Sequence, residues 1–205
     1  MSVRYMIVIL GAYLLGCSNM AVYLGKMKKV DLRAGGSGNP GTSNATLLMG
    51  WRAGILVGIH DIGKGMLAVL LARWLFPALE YADVTAGVAC VLGHIFPVFM
   101  KFRGGKGLAA YIGMILALNW KFALIILAVL VIVTVLTDYI VVGTVTTVIA
   151  SPVVLGFLTH SIVLEVVLCV ATAVIIYKHR DNYVRIWKVT EIGLSSAFKK
   201  DHRVK

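Results

Sequence analysis

"FALIILAVLVIVTVL", residues 122–136, holds no charge, and its one polar side chain is Thr134. Nothing in it alternates with a period of two, and no polar stripe recurs at helical spacing, so it offers water no face. Similar runs recur outward in both directions: "YMIVILGAYLLG" at 5–16, "GMLAVLLARWLF" at 65–76, "TAGVACVLGHIFPVFM" at 85–100, "YIVVGTVTTVIASPVVLGFL" at 139–158 and "SIVLEVVLCVATAVIIY" at 161–177. Over 205 residues the chain is 60% hydrophobic and 14% charged, with a mean hydropathy of +0.90. A soluble domain is about 25% charged. The polar surface is too small for a water-soluble globule, and the pattern predicts an all-α, polytopic integral membrane protein.

A helix crossing the hydrocarbon core needs about 20 residues. Spans are predicted at 5–24, 52–76, 83–100, 107–119, 121–137, 139–158 and 161–177, seven in all. The fourth is short, covering about 20 Å of a core about 30 Å thick. It reads as re-entrant, or as one half of a helix broken at "NWK". "LLGC" at 14–17 resembles a lipoprotein cleavage site, but apolar residues continue to Leu24 and a first span fits better.

Charge sets the orientation. With seven spans, sixteen of the twenty Lys and Arg residues fall on one side: Lys26, Lys28, Lys29, Arg33 and Arg52, then Lys101, Arg103 and Lys106, then the tail from Lys178 to Lys205. The positive-inside rule places that side in the cytoplasm and the N-terminus outside. The domain reading is one membrane-embedded unit, 1–205, with a basic cytoplasmic tail from about 178. The net charge of +11 then reflects topology, anionic lipid and an anionic substrate rather than nucleic acid. Cys17, Cys90 and Cys169 all lie in apolar runs and read as small core residues.

Three polar segments land on the cytoplasmic boundary. "GGSGNPGTSN", 35–44, combines glycines with helix-capping side chains, and its exposed amides suit an anion. A glycine-rich linker fits that segment equally. "RGGKG", 103–107, sets Arg103 and Lys106 around two glycines where a helix begins, a pattern suited to phosphate. It is not a Walker A loop, because Gly107 follows Lys106 where Ser or Thr is required. "YKHRDN", 177–182, brings His179 and Asn182 to one helix face. Within the spans, Asp61 and Lys64 stand at i and i+3 and read as an internal ion pair, or as the lining of a polar cavity. His94, inside the third span, needs an internal partner or a role. A transporter of a small phosphorylated anion accounts for much of this. The absence of an internal repeat speaks against it.

"GSGNPGTSN" at 36–44, "DIGKG" at 61–65, "GHIFPVFMKFRGGKG" at 93–107 and "HRDN" at 179–182 with Glu191 resemble, in order and spacing, the bacterial acyl-phosphate:glycerol-3-phosphate acyltransferase family, PlsY. The HxxxxD signature of other glycerolipid acyltransferases does not fit, since Phe99 stands five residues after His94. The resemblance implies a seven-span enzyme of the bacterial inner membrane with a cytoplasmic-side site. It implies transfer of a fatty acyl group from acyl phosphate to the 1-position of sn-glycerol 3-phosphate, with no cofactor and no metal. The product is lysophosphatidic acid. Carried onto this sequence, Ser37, Lys106 and His179 are the catalytic candidates. Gly38, Asn39, Thr42, Ser43, Asn44, Arg103, Gly104, Gly105 and Asn182 are the substrate-binding candidates, with the Gly104 and Gly105 amides given to phosphate. Asp61, Lys64, His94 and Glu191 are candidate supports. Three positions depart from the family pattern. Thr42-Ser43 replaces Ala-Thr, Leu47 stands at a usual arginine, and Val189 stands at a usual glycine.

Overall fold

A computed structural model describes residues 2–196; the tail cations Lys199, Lys200, Arg203 and Lys205 lie outside the described residues. Among those residues no strand forms. The chain divides into two compact units, up to Trp120 and from Lys121 onward.

The first unit contains α1 (Val3–Gly16), α2 (Met20–Lys28), α3 (Thr42–Met49), α4 (Trp51–Leu75), α5 (Ala82–Ile95), a 3-10 turn (Val98–Met100) and α6 (Leu108–Leu118). In lipid no hydrophobic effect drives helices together, so close backbone approach at small residues must do it. The packing shows that device twice. A Cβ on Gly16 of α1 would overlap the Cys90 carbonyl oxygen of α5, and one on Gly93 of α5 would overlap the Tyr13 carbonyl oxygen of α1. Likewise Gly65 of α4 abuts the Ala110 carbonyl of α6, while Gly113 of α6 abuts the Ile62 carbonyl of α4. Around the first seam Val8, Ala12, Ala68, Ala72, Ala86 and Cys90 form a buried cluster.

Asn19 caps α2 by accepting from Val22 N at 3.0 Å, and its amide donates to Pro40 O at 3.2 Å. One side chain thereby starts a helix and holds the glycine-rich run.

The second unit contains α7 (Trp120–Thr137, beginning on the last residue of the first unit), α8 (Ile140–Thr159), α9 (Ile162–Lys178) and α10 (Arg180–Trp187). α8 and α9 pack together, with Thr172 Oγ1 donating to Val148 O at 2.8 Å. Ser195 donates to Asp138 from its backbone N–H at 2.8 Å and its hydroxyl at 2.9 Å. Those two bonds hold the Asp138 carboxyl below the usual carboxylate range, so the latch is present at neutral pH and is lost as pH falls through that lowered value.

Five stretches are long and apolar enough to cross a membrane: Val3–Lys28, Trp51–Leu75, Ala82–Met100, Trp120–Thr137 and Ile140–Thr159. A sixth arises if Ile162–Lys178 and Arg180–Trp187 are one span bent by 44°. α6, with 11 residues, extends about 16 Å and does not reach across a bilayer on its own. Cys17 and Cys90 are buried as expected, whereas Cys169 is exposed.

Candidate active site

The site is built from the backbone outward. After α5 the chain doubles back through the 3-10 turn with Lys101 and Phe102 both at positive φ, 55° and 58°. Phe102 N donates to Pro97 O at 3.0 Å, Gly104 N to Ile95 O at 3.0 Å and Gly105 N to His94 O at 3.2 Å. The returning segment of this turn is pressed against the end of α5. A Cβ on Gly104 would overlap the His94 carbonyl oxygen, and one on Gly105 would overlap His94 Nε2. The two glycines are therefore required for close approach. Both amides donate to carbonyls at the end of α5, where the sequence reading gave them to a phosphate.

Gly107, at φ 95°, then turns the chain into α6. The arrangement leaves Arg103 exposed and Lys106 half-buried immediately before a helix N-terminus. Two cations beside a positive helix end form an anion-attracting surface.

Arg33 braces this loop from the first polar segment. Its guanidinium donates to Met100 O at 3.3 Å and to Arg103 O at 2.9 Å. Sequence reasoning counted Arg33 only as a topology charge. Its position at the edge of the glycine-rich run was the one available signal.

Within that run, Gly36 and Gly38 take positive φ, 59° and 69°. Asn44 is buried and holds the loop together. Its amide donates to Leu32 O at 2.8 Å and Gly35 O at 3.2 Å, and its oxygen accepts from Ser37 N at 2.9 Å. Its polar atoms meet Leu32 O, Gly35 O and Ser37 N, so Asn44 organises the loop that the sequence reading gave to substrate binding. Ser37 and Ser43 are exposed, and Asn39 and Thr42 are partly so. Thr42 Oγ1 is buried without a hydrogen-bond partner. It faces Gly58 across a groove of about 360 Å³, lined by Thr42, Thr46, Gly54, Ile55, Gly58 and Ile59 among others. Leu47, at the family's arginine position, is exposed beside Gly36.

Beneath the cationic loop lies a buried polar cluster. Lys64 Nζ is 2.9 Å from Asp61 Oδ1, 2.8 Å from His94 Nδ1 and 2.6 Å from Ser18 O. Asp61, Lys64 and His94 are all buried. The internal ion pair expected at i and i+3 is present, with both side chains buried.

In the second unit His179 is buried, and its Nδ1 lies 2.8 Å from Ile175 O. A carbonyl only accepts, so Nδ1 carries a proton, and in the neutral imidazole the lone pair is on Nε2. Three residues on, Asn182 Nδ2 donates to Glu191 Oε1 at 2.6 Å, and Arg185 Nε meets Glu191 Oε2 at 2.5 Å. Glu191 therefore fixes Asn182. Val189, in the turn between them, has φ 54°.

Comparison with known proteins supplies the frame for these clusters. The family model for glycerol-3-phosphate acyltransferase matches residues 6–189. Glycerol-3-phosphate acyltransferase 1 of Oceanobacillus iheyensis is 36% identical over 205 residues, covering 96% of this chain and 98% of the relative. The glycerol-3-phosphate acyltransferase of Coxiella burnetii is 39% identical over 189 residues, covering 91% and 96%. Among solved structures, the glycerol 3-phosphate form of PlsY, an integral membrane glycerol 3-phosphate acyltransferase, superposes with a TM-score of 0.87 at 33% identity, over 93% of this chain and 95% of that one. Its lysophosphatidic acid form gives 0.85 at 31% identity, over 94% and 96%.

Proposed function

Because the chain belongs to the glycerol-3-phosphate acyltransferase family, we propose that it transfers a fatty acyl group from acyl phosphate to the 1-position of sn-glycerol 3-phosphate. The products are lysophosphatidic acid and inorganic phosphate. The reaction runs by direct attack. The glycerol hydroxyl oxygen bonds to the acyl carbonyl carbon, and the bond from that carbon to the phosphate oxygen breaks. Acyl phosphate carries its own leaving group, so no covalent acyl-enzyme is needed. The hydroxyl proton passes to His179 Nε2 or to the substrate's own phosphate, whose second pKa is about 6.

The observation that carries this proposal is the braced cationic turn. Arg33 and His94 fix a loop whose exposed Arg103 and half-buried Lys106 stand before the N-terminus of α6. Acyl transfer from a phosphate needs held phosphates and compensation of developing charge. In this assignment Arg103 and Lys106 take a phosphate. Ser37, Gly38, Asn39, Thr42 and Ser43 orient a phosphate or the carbonyl oxygen, and His179 and Asn182 hold glycerol 3-phosphate. The apolar chain lies among the spans. Seven crossings, with α6 as a short or re-entrant one, put the N-terminus outside and the site at the cytoplasmic face of a bacterial inner membrane. The transporter alternative loses the feature that favoured it, because Asp61 and Lys64 are engaged with each other.

Lys106→Ala tests the assignment. Loss of a contact to charge that develops in the transition state is expected to lower turnover roughly 10²- to 10³-fold. Turnover near that of the unaltered protein rejects the assignment, and flux of a phosphorylated anion into liposomes without product formation favours transport.

A further inference from the structure

Along α9, Val163, Val166, Val170 and Tyr177 are exposed. Their spacings of three, four and seven residues mark one helix face. No charge interrupts that face, so it suits lipid. With 17 residues, α9 extends about 26 Å, close to the thickness of a hydrocarbon core. At His179 the axis turns by 44° into α10.

The inner side of α10 is tied down. Asn182 is buried, and Asn182 and Arg185 both bond to Glu191. The eight-residue helix is therefore not free to roll. Its outer side carries Arg180, Val184, Trp187 and Lys188, at i, i+4, i+7 and i+8, all exposed. Trp187 is 90% exposed, and Val189 and Ile192 continue the exposed apolar surface past the helix end. Arg180 lies over the Tyr177 ring, 4.4 Å from its centroid, and donates to Tyr177 O at 3.3 Å. A cation is thus fixed where α9 ends. Asp181 is the acid on this side, 3.7 Å from Arg180 Nε, but both side chains are more than half exposed and such a pair is weak.

A bilayer interface accommodates both kinds of side chain on this face. Indole and valine settle between chains and head groups, and the cations meet phosphate. The hydrocarbon core does not, since Arg180 and Lys188 would enter it with the tryptophan.

We propose that α10 lies in the membrane interface, and that its outer face, with Tyr177, Arg180, Val184, Trp187 and Lys188, binds the head groups of anionic phospholipids. One short helix then presents Asn182 inward and bilayer lipid outward.

Fluorotryptophan incorporated into the full chain, in nanodiscs of phosphatidylcholine and phosphatidylglycerol, gives one fluorine signal for each of the four tryptophans. Trp187 is the signal lost in Trp187→Phe. A lipid spin label near the head group is expected to broaden it several-fold more than a label at the chain end or a paramagnetic chelate in water. Carried on phosphatidylglycerol, the head-group label is expected to act roughly 5- to 25-fold more strongly than on phosphatidylcholine at the same amount, for two cations near the surface. Arg180→Gln combined with Lys188→Gln is expected to remove that preference and leave the depth unchanged. Should this variant fail to fold, salt decides: at about 1 M, where screening acts within about 3 Å, the preference of the unaltered protein is expected to vanish. Stronger broadening from the chain-end label makes α10 part of a bent span. Stronger broadening from the chelate turns the face to water and to a soluble partner. Equal broadening by the two lipids removes the anionic selectivity. Each of these three results overturns the proposal.

Discussion

At the scale of single residues, the second unit makes two definite statements. His179 donates from Nδ1 to Ile175 O, so in its neutral form it offers Nε2 as an acceptor and a base, not as a donor. Replacement by Gln removes the base and keeps hydrogen bonding. If His179 takes the hydroxyl proton, kcat in His179→Gln falls roughly 10²- to 10⁴-fold; a retained rate assigns the proton to the substrate phosphate. Val189 is the other. Its φ of 54° is one that glycine adopts at no steric cost and a β-branched residue adopts only under strain. The departure from the family's glycine was visible in the sequence, but the positive φ was not. Val189→Gly is expected to raise unfolding stability by about 1 kcal/mol, read as a higher thermal midpoint in detergent, with no change in chemistry.

The element scale is where the sequence said least. Most spans were legible, because uninterrupted apolar runs leave a helix no other environment. The ion pair of Asp61 and Lys64 was legible as well, since both lie on one helix and i,i+3 geometry is local. The contact of Gly105 with His94 was not, because it depends on how a turn folds back onto α5. The inward direction of the Gly104 and Gly105 amides was hidden for the same reason. The loop-organising role of Asn44 was not legible either, because an asparagine in a glycine-rich run satisfies loop carbonyls as readily as a ligand. Arg33 joins two polar segments through two carbonyls. Arg33→Ala removes that brace and leaves Arg103 and Lys106 in place. The expected result is a stability loss of about 1 kcal/mol, because the arginine is exposed, together with a raised KM for a phosphorylated substrate. An unchanged KM separates the brace from binding.

For the whole molecule, hydropathy settled an all-helical membrane protein, while span number depends on features hydropathy reads poorly. α6 is short, and the pair α9–α10 is bent by 44°. Glycine-mediated approach at Gly16–Cys90 and Gly65–Ala110 brings α1 against α5 and α4 against α6, which sets the cationic turn, the glycine-rich run and the buried cluster within one unit. In the proposed function the polar segments serve one chemistry, transfer from a phosphate to a phosphorylated alcohol. The purified protein, reconstituted in lipid and given glycerol 3-phosphate with either acyl phosphate or acyl-CoA, tests that claim most directly. The account predicts lysophosphatidic acid and inorganic phosphate from acyl phosphate alone. Product from acyl-CoA at an equal or greater rate, or none from acyl phosphate, would contradict it.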